Sequence, residues 1–131
     1  MKMRASIAAI ALLATVVPAR AQNNALMGSA AVLANGLSTT IKIVKPQPGR
    51  LSYLYCYNPN TTVAYVQVFD TAGTVTLGTT VPKQSFGFPP ANGLLIQADA
   101  NMLAGIKAAV ATTATGNTAP GTPLDCNFGI R

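Results

Sequence analysis

The sequence predicts an all-β fold, an antiparallel β-sandwich of about eight short strands, with a jelly roll among the arrangements that fit. Three observations carry this. Short runs rich in Tyr, Val, Ile, Phe and Thr recur at close spacing between Gly, Pro and Asn turn signals. Thr, Gly, Pro and Asn are plentiful while Glu is absent, which removes a strong helix former. Beyond the N-terminus, no apolar run reaches the roughly 20 residues a transmembrane helix needs.

The first segment reads as export machinery. Lys2 and Arg4 give a positive start, Ala5 to Val17 is apolar-leaning, and Pro18-Ala19-Arg20-Ala21 ends with the Ala-x-Ala spacing of a signal-peptidase site. Residues 1–21 are thus expected to be a signal peptide, with an uncleaved anchor as the alternative. Removing 21 of the 131 residues leaves 110, one domain in size. Six basic residues (Lys42, Lys45, Arg50, Lys83, Lys107 and Arg131) then face three acids (Asp70, Asp99 and Asp125), a formal charge near +3. Apart from Lys42 and Lys45 the cations are scattered, so no nucleic-acid partner is expected. The exported chain is expected to be secreted or periplasmic, with no stable membrane span after cleavage.

Residues 22–38 are Ala-rich and weakly patterned. They are read as an arm or linker, within which Ala30 to Ala34 could form a strand or a helix, and Asn35-Gly36 signals a turn. The β domain is read as 39–131. Thr40 to Val44 alternates as a half-buried strand, and Lys45-Pro46-Gln47-Pro48-Gly49 breaks the ladder. Arg50 to Asp70 reads as an antiparallel hairpin around Asn58-Pro59-Asn60-Thr61-Thr62, its register left open between Tyr57 opposite Val63 and Tyr57 opposite Thr62. Further strands are expected near Thr74–Thr80, with a bulge at Gly78, and at Gln84–Phe88. Another is expected at Leu94–Ala98, after a turn at Asn92-Gly93. Ala100 to Thr115 fits helical and strand periods, and Gly105 to Thr115 is taken as a strand. The last strand alternates Leu124, Cys126, Phe128 and Ile130 against Asp125, Asn127, Gly129 and Arg131.

Cys56 and Cys126 both fall at inward-looking strand positions. In an oxidising compartment they are expected to form a disulfide, adding roughly 3–4 kcal/mol by closing a loop of about 70 residues; two buried free thiols are the alternative. Without His or Glu, neither a Ser-His-Asp triad nor a Cys-His pair can be built. Two cysteines and three aspartates make a poor zinc set. No catalytic residue, metal site or cofactor is expected, and the aspartates read as turn caps and solvated charges. Asn60-Thr61-Thr62 matches a glycosylation sequon.

One set remains for recognition: Tyr53, Tyr55, Tyr57, Tyr65 and Phe69. Tyrosines on a sheet face offer a flat apolar ring with a polar tip, suited to core packing, a protein interface or a stacked sugar. The segments YNPNTTVAYVQVFD, VTLGTTVPKQSFGFP and ATTATGNTAP resemble small β-rich proteins of bacteriophage and prophage gene clusters. That resemblance implies a virion structural or decoration role, here joined to a signal peptide. It carries over no functional residue. Together these readings lead to an expectation: an exported, non-enzymatic structural or interaction protein, self-assembling as a homo-oligomer or contacting a cell-envelope protein or glycan. A secreted carbohydrate-binding module using the tyrosine face is the alternative.

Overall fold

The computed structural model describes residues 29–131, so the predicted signal segment and residues 22–28 of the arm lie outside the described residues. Eight strands follow in order: β1 (Ala30–Leu37), β2 (Lys42–Lys45), β3 (Gly49–Asn58), β4 (Ala64–Asp70), β5 (Gln84–Phe88), β6 (Asn92–Met102), β7 (Ile106–Ala111) and β8 (Leu124–Ile130). They form two four-stranded sheets, β1-β8-β3-β6 and β2-β7-β4-β5, with antiparallel pairing throughout. Among consecutive strands, β4 and β5 pair directly; every other connection crosses from one sheet to the other. That strand order is the jelly roll.

Period-two alternation supplies the core. Leu54 and Cys56 of β3 and Leu124, Cys126 and Phe128 of β8 point inward from one sheet. From the other they meet Val66, Val68, Phe88, Ile106 and Val110 in a single buried cluster. Each large apolar side chain buried there contributes about 1.5–3 kcal/mol. Cys56 and Cys126 stand directly opposite in the β3–β8 ladder and are joined as a disulfide, Cα atoms 4.1 Å apart. The bond fits an oxidising compartment. Among the described residues no helix is long and apolar enough to cross a membrane.

Several expectations are corrected. Ala30–Leu37 is no arm but a paired strand of the first sheet, so the domain begins before residue 39. Asn35-Gly36 makes a bulge within β1, where Gly36 takes φ +66° and donates its N–H to Asp125. The β3–β4 hairpin does not form. Asn58 binds the carbonyl oxygens of Phe88 and Pro89 as well as Thr62, so the polar tract crosses to the second sheet instead of folding back. Residues 74–80 form a loop, with Thr79 and Thr80 N–H donating to Thr76 O around Gly78 (φ +78°). Asn92-Gly93 opens β6, opposite Asn58 and Tyr57, and the turn sits two residues earlier at Pro90-Ala91. The strand reading of Gly105 to Thr115 holds for β7, over Ile106–Ala111.

The two outer faces differ, and this positions the site. On β4, Gln67 is fully buried although it points away from the core, because its Nε2 donates to Thr113 O and Gly116 O in the β7–β8 loop. Phe69, Ala109 and Ala111 are buried on that side too, outside the core cluster. Lys107 reaches from the same face to the carbonyls of Ala72 and Gly73, so the β4–β5 loop also covers it. The second sheet therefore wears a coat of loops. The first does not.

Candidate functional site

The outer face of β1-β8-β3-β6, bare among the described residues, is the candidate site. Register lines up its residues in rows across four strands. Leu33, Asn127, Tyr55 and Leu95 form the central row; Ala31, Gly129, Tyr53 and Gln97 form the next. On the other side Tyr57 stands between Asp125 and Gly93. Leu33 is 63% exposed, Leu95 50%, Tyr57 45% and Tyr55 43%, a contiguous apolar and aromatic surface with Asp125 as its charged group.

Glycines let the rings lie down. A Cβ on Gly129 would collide with the Tyr53 ring, and one on Gly93 would come within 2.5 Å of the Tyr55 hydroxyl. Each ring thus covers a neighbouring strand where a side chain is missing, which shields the backbone and fixes the ring. Beside Tyr55 the surface dips into an open depression of about 210 Å³, lined by Leu33, Asn35, Tyr55, Asp125, Cys126 and Asn127. The Asn127 side-chain oxygen is buried there with no hydrogen-bond partner among the described residues, and Asp125 accepts the Gly36 N–H through one oxygen at 2.9 Å.

The five aromatics of the recognition set do not gather on one face. Tyr53, Tyr55 and Tyr57 share the open face. Tyr65 lies against Gly87 on the loop-covered sheet, and Phe69 is buried there at 1% exposure. Their separation follows from β3 and β4 belonging to different sheets. Leu33, Leu95, Asp125 and Asn127 were absent from the set, since only the strand order brings β1, β6 and β8 beside β3.

The aspartates do structural work. Asp70 accepts from Lys83 Nζ at 2.7 Å and from the backbone N–H groups of Leu103 and Ala104 at 2.9 and 2.8 Å. Burial alone raises its pKa, but the Lys83 hydrogen bond, the two backbone donors and the Lys83 charge outweigh it and hold the carboxyl at about 2, below the ordinary 3.8. A carboxyl depressed on folding stabilises the fold above its unfolded pKa, and that stability fades as pH falls through about 2. Asp70→Asn should therefore cost about 1–2 kcal/mol at neutral pH, discounted for the half-exposed Lys83, in urea unfolding. The cost should shrink below pH 3.8 and be gone under about pH 2; an equal cost at both extremes would contradict the ion-pair account. Asp99 pairs with Arg50 at 2.5 Å on the surface. Asn60, the sequon asparagine, is also engaged: its amide nitrogen donates to Asn58 Oδ1 and Thr122 O, both at 2.8 Å, and its oxygen accepts the Thr122 N–H.

No family model, curated protein or solved structure matches the chain.

Proposed function

We propose that the protein is an exported, non-enzymatic interaction protein, secreted or periplasmic, that self-associates through the outer face of β1-β8-β3-β6. The observation that carries this is the Leu33–Asn127–Tyr55–Leu95 row, four strands wide and exposed, while loops cover the matching face of the other sheet. Rings pinned over glycines lose little freedom on contact, which favours their use as interface anchors. A face with one carboxylate meets little charge repulsion from its own copy. The disulfide and the N-terminal export signal support the compartment, and the phage-like sequence resemblance supports an assembly role.

Sedimentation velocity of the exported protein should show a discrete oligomer, and Leu33→Asp/Tyr55→Asp should weaken it by at least about 100-fold. A chain that stays monomeric at high concentration, or an oligomer indifferent to both substitutions, would overturn this reading. The depression favours a second one. Tyr55 as a stacking ring and Asp125 as an acceptor, both lining it, make a sugar-binding pair. A monomer retained on a glycan column, and released by the Tyr55 change, would mark the face as a carbohydrate site.

A further inference from the structure

Scattered in sequence, the basic residues are gathered by the fold. All six in residues 29–131 lie on the half of the sandwich where β3 and β7 begin and β4, β6 and β8 end. Register places them there. Arg50 stands opposite Asn101 and exchanges two backbone hydrogen bonds of 2.9 Å with Arg131. Lys45 is opposite Ile106, Lys107 opposite Phe69, and Lys42 opposite Ala108. Lys83 donates its N–H to Val68 O beside Asp70. Two carboxylates share this end, Asp70 with Lys83 and Asp99 with Arg50. Six cations against two carboxylates leave a side-chain charge of +4 there; Asp125, opposite Tyr57, is the remaining charged side chain among the described residues.

Apolar side chains protrude from the same end. Leu103, 78% exposed, tops the β6–β7 turn, its N–H held by Asp70. Val81, 82% exposed, precedes Lys83, whose ammonium ties Asp70 to the Asn101 carbonyl. Ile43, 56% exposed, lies opposite Lys107. β1 also begins here, because Ala30 pairs with Ile130, so the described chain enters the domain at its basic end.

From this juxtaposition we infer that the basic end of the sandwich docks on an anionic lipid surface. Leu103 and Val81 enter the headgroup layer, and Lys42 and Lys45, which have no acidic partner among the described residues, lie against its phosphates. Cations alone would suit any polyanion. Protruding Leu and Val side chains gain nothing from a soluble one, and they select the membrane.

The chain contains no tryptophan, so a single fluorophore can be placed at will. In the full chain, Leu103→Trp reports the basic end, and Val63→Trp, 40% exposed beyond the other end of β3, is the control. Vesicles of phosphatidylcholine with about 30% phosphatidylglycerol should blue-shift the first fluorophore and leave the second unchanged. Binding should be about 100-fold tighter than to phosphatidylcholine alone at low salt, and Lys42→Gln/Lys45→Gln should weaken it about 30-fold. Equal binding to both vesicles without a shift at Leu103→Trp would assign attachment to the N-terminal run alone and overturn the inference. So would a soluble sulfated polymer that binds as tightly as the vesicles with no shift.

Discussion

Asn58→Ala should destabilise the domain by about 3–5 kcal/mol in urea unfolding, with the slope of the transition unchanged. The side chain is fully buried at the point where the chain leaves the first sheet for the second. Its amide nitrogen serves three carbonyls, Thr62 O and Phe88 O at 2.9 Å and Pro89 O at 3.2 Å. Its oxygen accepts from the Asn60 backbone at 3.0 Å and side chain at 2.8 Å. Truncation strands these groups, and a buried polar atom without a partner costs about 1–3 kcal/mol. Asn58→Asp sharpens the test: it keeps the shape and the acceptor but cannot donate to the carbonyls when ionised. It should cost at least as much at neutral pH. Asn60→Ala, which acts on a more open part of the network, should cost about 1 kcal/mol. If Asn58→Ala cost no more than Asn60→Ala, the crossover would be held by something other than this side chain.

The same residue shows where reading the sequence stops. Alternation in β3 and β8 is legible because each strand has one wet and one dry side, and it places Cys56 and Cys126 inward without any coordinates. Partner choice is a different quantity. Asn58-Pro59-Asn60 is a turn signal by local chemistry, but turning back to pair with β3 or crossing to the other sheet depends on Phe88 O and Pro89 O, 30 and 31 residues away. In a jelly roll nearly every neighbour is distant in sequence, so local patterns name strands and stay silent on order. The bulge at Ser52 has the same character. It adds a residue to β3 against β8 and carries Leu51 into the core, though strict alternation puts Leu51 with the tyrosines. Of the open face, the three β3 tyrosines were legible; Leu33, Leu95 and Asn127 were not. The basic end was invisible for that reason as well, since its cations come from β2, β3 and β7, the loop before β5 and the residue after β8.

Removing the Cys56–Cys126 bond should lower stability by about 4 kcal/mol, the other large effect expected in this protein. The bond closes a loop with a sequence separation of 70, and cross-linking so distant a pair removes that much conformational entropy from the unfolded chain. Cys56→Ala/Cys126→Ala should therefore shift the urea midpoint down and steepen the transition, because the unlinked chain unfolds to a more exposed state. A loss below about 1 kcal/mol would mean that the jelly roll holds β3 against β8 without it. The kinetics follow from burial. Cys56 is 0% and Cys126 3% exposed, so a reductant reaches the bond only when β3 and β8 part. Reduction of the native protein should track opening of the first sheet and respond little to reductant concentration once opening limits it. A domain of this size commonly has about 5–15 kcal/mol in all. A loss of about 4 kcal/mol is a large share of it, enough to make an oxidising compartment part of how this sequence reaches its fold.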